Sequence, residues 1–226
     1  MAITVPQIKK GNSSSGTSAS VTLATTTTGN TLVVVVSAYN AAANLTVTTM
    51  GVSTGSISSA AKFGAFAGIA GTYAPIEVWV APNITGGTTP LLVVNLSGTT
   101  SATDFFAYEL AGMSSATVPD GTAAGAANAA ATACVTPIIT TANAGSIVFG
   151  VFSPANVISS GGSGWTGSLV GQTTGSLTEY AIQTAPGTSQ ATATQNPSGV
   201  YASYIFALAP TGGVVPSRPP QIIVVN

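Results

Sequence analysis

The chain is predicted to be an all-β protein: a single β-sandwich of two antiparallel sheets, jelly-roll or Ig-like, with an extended C-terminal arm. Three observations predict this. Val, Ile and Thr supply 71 of the 226 residues, and β-branched side chains suit a pleated, half-buried surface. The 26 Gly and 13 Pro break the chain at short intervals, as many short strands require. No window carries the apolar stripe of an amphipathic helix.

Taken in order, strands are expected near Ser20–Thr25, Thr31–Tyr39, Leu45–Met50, Ile76–Ala81, Leu91–Ser97, Phe105–Leu110, Ile138–Thr141, Ser146–Phe152, Tyr180–Thr184 and Tyr201–Leu208. Turn pairs lie between many of them: Gly29-Asn30, Gly86-Gly87, Gly145-Ser146, Gly161-Gly162 and Asn196-Pro197. The segment Gly121–Ala133 is rich in Ala but has no apolar face, so it reads as a loop with at most one helical turn. Residues 1–210 then form the sandwich domain and 211–226 the arm. In the arm, the Pro-rich Val214–Pro220 stiffens a spacer before Gln221-Ile222-Ile223-Val224-Val225-Asn226. Four consecutive β-branched apolar residues need burial, so Ile222, Ile223, Val224 and Val225 are candidate contacts to a neighbouring subunit, with docking on their own domain as the alternative.

The chain also echoes itself. Gly29-Asn30-Thr31-Leu32-Val33-Val34 resembles Gly145-Ser146-Ile147-Val148-Phe149-Gly150, and each is followed later by an aromatic strand, Phe105–Leu110 or Tyr201–Phe206. Either all sandwich strands look alike, or two halves supply equivalent strands to one two-sheet core. The halves differ too much for a solenoid.

Charge excludes more than it suggests. Only nine residues are ionisable as Asp, Glu, Lys or Arg, which is 4% of the chain. Four basic residues cannot track a phosphate backbone, so no nucleic-acid partner is expected. There is no His and one Cys, which removes His triads, His metal sites and disulfide frameworks. No cofactor or metal is expected, and no enzymatic activity. The longest apolar runs, Leu32–Val36 and Ile147–Phe152, are of strand length, so no membrane span is expected. The first twenty residues lack an apolar core after a basic start, so no signal peptide is expected. Solubility falls to 34 Thr, 25 Ser and 11 Asn. A net charge of −1 gives little self-repulsion, which suits a protein packed against copies of itself.

Chemical motifs are thin. Gly51-Val52-Ser53-Thr54-Gly55 matches a hydrolase elbow, but that motif needs a base and a following helix. Gly162–Gly167 matches G-x-G-x-x-G in a setting that reads as a turn. Glycoside chemistry would need a pair of acids; Glu77 and Glu109 lie on expected strands, with Asp104 and Glu179 nearby in pattern. Glu77 beside Trp79 could instead form an outward sugar platform, although a lone strand Glu more often faces solvent or pairs with a cation such as Lys62. Trp79, Trp165 and Tyr73 are the candidate glycan contacts. Cys134, between Ala133 and Val135, reads as a small core residue.

The runs GNTLVVVVSAYN (29–40), IEVWVAPN (76–83), LLVVNLSG (91–98) and FFAYELAGM (105–113) are similar to β-sandwich domains in virion proteins of tailed bacteriophages. The resemblance spans about residues 1–210. It implies a structural role on the virion surface, as a capsid decoration or minor tail protein. It also implies synthesis in the host cytoplasm, and partners that are copies of the chain and other virion proteins. A glycan-binding adhesin module for host attachment is the alternative. The resemblance brings no catalytic residues with it.

Overall fold

The computed structural model describes residues 2–54, 57 and 60–212. Every regular element among them is a strand, and every strand pairing is antiparallel. The first half contains β1 (Thr4–Ser13), β2 (Gly16–Thr22), β3 (Thr31–Tyr39), β4 (Val47–Thr54), β5 (Ala61–Phe66), β6 (Ile76–Ala81), β7 (Leu91–Thr100) and β8 (Ala102–Ala111). The second contains β9 (Ala124–Val135), β10 (Ile139–Thr141), β11 (Ile147–Pro154), β12 (Ile158–Gly161), β13 (Thr166–Val170), β14 (Leu177–Ile182), β15 (Gly187–Ser189) and β16 (Thr192–Leu208).

The expected all-β sandwich is present, and the two halves build it in the same way. One inner sheet runs β1-β8-β3-β6-β5. The other runs β9-β16-β11-β14-β13, with β12 also paired to β16. Each strand of the second path sits eight places after its counterpart in the first. The two inner sheets pack face to face over one core. From the first sheet come Val33, Val35, Val78, Phe106, Tyr108 and Leu110; from the second come Phe149, Val151, Tyr204, Phe206 and Leu208. Register makes the match residue by residue. Val33 pairs with Tyr108, as Phe149 pairs with Phe206. The echo in the sequence is therefore the trace of two equivalent halves sharing a core.

Outside each inner sheet lies a smaller one. The β2-β7-β4 sheet covers the back of the first, where Leu32, Val34 and Val36 meet Leu92, Val94 and Leu96. The β10-β15 ribbon lies behind the second, where Ile139 meets Val148, Ile205 and Ala207. β3 and β11 are thus buried on both faces. This explains why they read as continuous apolar runs rather than alternating ones.

The inner sheets are related by an approximate two-fold axis parallel to their strands. On one flank β1 lies over β13: Ile8 and Leu169 join the shared core, and Lys10 Nζ donates to Val170 O at 3.3 Å. On the other flank β5 lies over β9, so closely that a Cβ on Gly125 would collide with the Phe66 ring. Since β1 corresponds to β9 and β13 to β5, these are the same contact made twice.

Two expectations about the course of the chain are overturned. Asn196-Pro197 is not a turn between strands; it lies inside β16, where the pairing with β9 shifts register between Thr194 and Gly199. Residues 121–133 are not a loop or a helical turn; β9 occupies most of them. Ala favours helices in isolation, but the pairing of β9 with β16 from Ile205 back to Thr192 outweighs that preference. At the other boundary, the body continues slightly past Pro210: Thr211 Oγ1 donates to Gly112 O (3.0 Å) and Met113 O (2.7 Å). Ile222, Ile223, Val224 and Val225 lie outside the described residues.

Phe149 stacks on Phe206 (centroids 4.9 Å apart) and meets Tyr108 edge-on (5.1 Å) at the middle of the shared core. Phe149→Ala should cost about 3–5 kcal/mol. In urea denaturation this should lower the midpoint with an unchanged slope.

Candidate functional site

At one end of the shared core the same alternation that buries β3 and β11 delivers polar groups. Along β3 the core-facing residues run Val33, Val35 and Ser37, up to the half-buried Tyr39; along β11 they run Phe149, Val151 and Ser153, with the exposed Ala155 just past its end. Ser37 and Ser153 occupy equivalent positions, and their Oγ atoms meet 3.3 Å apart. That contact marks the approximate axis. Both serines are buried, so their hydroxyls must find partners inside the protein. Ser176 Oγ lies 2.8 Å from Ser37 Oγ and 2.6 Å from Thr174 Oγ1. Thr174 Oγ1 in turn donates to Asp104 Oδ2 at 2.7 Å. A continuous chain of hydroxyls thus runs from the axis to a buried carboxylate.

Asp104 organises the loop between β13 and β14. Its oxygens accept from the backbone N–H groups of Gln172 (2.9 Å), Thr173 (3.1 Å) and Thr174 (2.6 Å), and from the Thr173 hydroxyl (3.0 Å). A carboxylate offers about four lone-pair sites, so this one is saturated. Gly171 is required beside it, since a Cβ there would collide with Asp104 Oδ2.

Where this chain of hydroxyls ends, at Thr174, lies an open cleft of about 390 Å³. Tyr39, Thr72, Ala74, Pro154, Thr173 and Thr174 line it, with no Asp, Glu, Lys or Arg among the lining residues. The β5–β6 loop and its counterpart, the β13–β14 loop, contribute opposite rims. The cleft therefore offers a half-exposed aromatic ring, threonine oxygens and small apolar surfaces, but no free charge.

The residues flagged in the sequence lie elsewhere. Tyr73 is 3% exposed, and its side chain belongs to the core between the inner sheets, so it is not a glycan contact. Trp79 is half-buried and Glu77 buried. Both face the outer sheet β2-β7-β4 rather than solvent, because they share the face of β6 that packs on that sheet. The outward Glu77–Trp79 platform does not form: Glu77 accepts from Lys62 Nζ at 2.9 Å and from Trp79 Nε1 at 3.2 Å. Trp165 is half-buried on the far side of the second inner sheet, so it shares no platform with Trp79.

The acids are dispersed as well. Glu77 pairs with Val36 and Glu109 with Leu32, on opposite sides of β3. Four residues along a strand separate them by roughly 13 Å, too far for a retaining pair. Glu109 accepts from Thr27 N (2.8 Å) and Asn30 Nδ2 (2.6 Å). Asp120 accepts from Ala142 N (2.8 Å), Asn143 N (3.1 Å) and Ser146 Oγ (2.5 Å). Glu179 Oε2 accepts from Gly162 N at 2.9 Å. Of the two glycine motifs, Gly51–Ser53 lies within β4, and Gly162–Gly167 leads from β12 into β13 rather than into a helix.

No protein family matches the chain, and no curated protein is significantly similar to it.

Asp104→Ala should orphan several buried donors and cost about 3–5 kcal/mol, read from chemical denaturation. Cys134 is fully buried, and burial pushes its thiol up to about 11. The raised value keeps the sulfur protonated in the fold, with a thiolate fraction on the order of one in a thousand at pH 8. Ellman's reagent should therefore react slowly with native protein and rapidly in guanidinium; fast native labelling would contradict this placement.

Proposed function

We propose that the chain is a structural protein on the exterior of a tailed-bacteriophage virion, of the capsid-decoration or minor-tail type, made in the host cytoplasm. Its work is to add contact area between subunits. One observation carries the reading. All five carboxylates, Glu77, Asp104, Glu109, Asp120 and Glu179, are buried. Among the described residues the exterior therefore keeps only Lys9, Lys10 and Lys62 as ionised side chains, and Lys62 is already paired with Glu77. The rest is hydroxyl, amide and methyl. Ser18, Ser20 and Thr22 of β2, Thr49 and Ser53 of β4, and Asn95 and Ser97 of β7 are exposed.

Such a surface does not keep separate molecules apart. It also makes close packing inexpensive, because burying a hydroxyl that finds a partner avoids the several-kcal/mol cost of stripping water from an ion. The terminal Ile222–Val225 run extends the proposal: it would seat on a neighbouring subunit, a part that rests on sequence alone.

Quantitative mass spectrometry of purified particles should find the chain at fixed stoichiometry; recovery only as a free monomer would count against the role. Because the contacts are neutral, retention on particles should not change between about 0.05 and 0.5 M NaCl, whereas charge-based docking would weaken steeply. Deleting Gly213–Asn226 should leave the thermal midpoint unchanged and abolish incorporation. Normal incorporation of that truncated chain would reject the arm.

A further inference from the structure

We propose that the cleft on the approximate two-fold axis binds a neutral saccharide. The inference rests on the glycan-binding reading of the chain, not on the virion reading, and it moves the site away from Trp79, Trp165 and Tyr73.

The position is the first argument. Ligand sites form preferentially where two structural units meet. This cleft opens at the end of the interface between the two halves, with one rim from each. Its volume of about 390 Å³ lies in the range of small-molecule sites.

The chemistry of the lining is the second. A sugar ring has an apolar C–H face and a rim of hydroxyl groups. The cleft matches both. Tyr39, Ala74 and Pro154 give the apolar surface, and Thr72, Thr173 and Thr174 give the oxygens. The Thr173 hydroxyl donates inward, to Thr103 O (2.8 Å) and Asp104 Oδ1 (3.0 Å), and that of Thr174 donates to Asp104 Oδ2. Each hydroxyl has one proton. With those protons committed, and Thr174 Oγ1 also engaged by the Ser176 backbone N–H and hydroxyl, the Thr173 oxygen is the one that keeps acceptor capacity for a ligand that brings its own O–H donors. No cation lines the cleft to hold a carboxylate, sulfate or phosphate. The nearby Asp104 charge would repel one. Acidic sugars are therefore disfavoured.

Rigidity is the third. Asp104 fixes the Thr173–Thr174 rim before any ligand arrives, so little ordering cost is left for binding. The break in symmetry is the fourth. The residue equivalent to Tyr39 is Ala155, which is exposed. A second tyrosine there would crowd the axis; alanine leaves one aromatic wall and an open approach. A second cavity of about 390 Å³, lined by Ala61, Lys62, Phe63, Val80, Pro119 and Ala123, is mainly apolar, and nothing in the structure shows what would cover it.

Saturation-transfer NMR and calorimetry on the full chain, with a panel of neutral and acidic oligosaccharides, test the proposal. Saturable binding of neutral members is expected, with acidic members bound at least tenfold more weakly. Tyr39→Ala should weaken binding roughly tenfold through the lost stacking surface. Ala155→Trp should block the open side and abolish binding. Both should retain the native thermal midpoint; if Tyr39→Ala lowers it, Thr72→Val on the rim takes its place and should also weaken binding. Three results overturn the proposal: no neutral saccharide bound, equal binding of acidic ones, or binding indifferent to these substitutions. Each would leave particle incorporation untouched, so the two readings fail separately.

Discussion

The fold depends on the packing of β3 against β11 at the centre of two equivalent sheets. Each of these strands is covered on both faces, by the opposite inner sheet and by its own outer sheet. Their sequences, LVVVV and IVFGVF, carry apolar side chains of both parities, and cover on both faces hides them all from water. Once the two strands lie together, their neighbours follow by register. The flanks then close by the same contact made twice, β1 on β13 and β5 on β9. The shared core is built in matched sets, with Phe106, Tyr108 and Leu110 answered by Tyr204, Phe206 and Leu208. This is the geometry of a dimer interface enclosed within one chain.

Burial of the acids is the second constraint, and it follows from the first. A protein made almost wholly of strands has many turns with unpaired N–H groups, and those near the core cannot rely on water. Carboxylates satisfy them. Glu109 holds the turn before β3, and Asp120 holds the equivalent turn before β11, from a different place in the sequence. Asp104 holds the loop before β14. Charge-assisted bonds of this kind are stronger than neutral ones, so a few acids pin the loops that a helical protein would cap locally. The same use of charge empties the exterior of negative groups, which links the internal architecture to the proposed packing among copies.

The cleft joins the two themes. It exists because the axis ends in open space just past Ser37 and Ser153. It is neutral because its nearest charge is spent on the loop that forms its rim. Its single aromatic wall reflects the place where the equivalence of the halves lapses, Tyr39 against Ala155.

Composition and periodicity alone determined the all-β class, the central strands and the paucity of charge, because these are local or additive properties. The runs Leu32–Val36 and Ile147–Phe152 are strand-length and apolar wherever they sit, and the Gly29-Asn30 and Gly145-Ser146 turns announce themselves. The tertiary structure decided the rest. β9 is a strand only because β16 is beside it; its Ala-rich sequence taken alone resists that state. Tyr73 and Trp79 resemble surface aromatics until the shared core encloses the first and the outer sheet packs against the second. Asp104 gives no local sign that it will hold residues about seventy positions away, nor do Ser37 and Ser153 show that they will meet. Such contacts depend on which strands lie opposite each other, and that is fixed by burial across the whole fold rather than by any short stretch of chain.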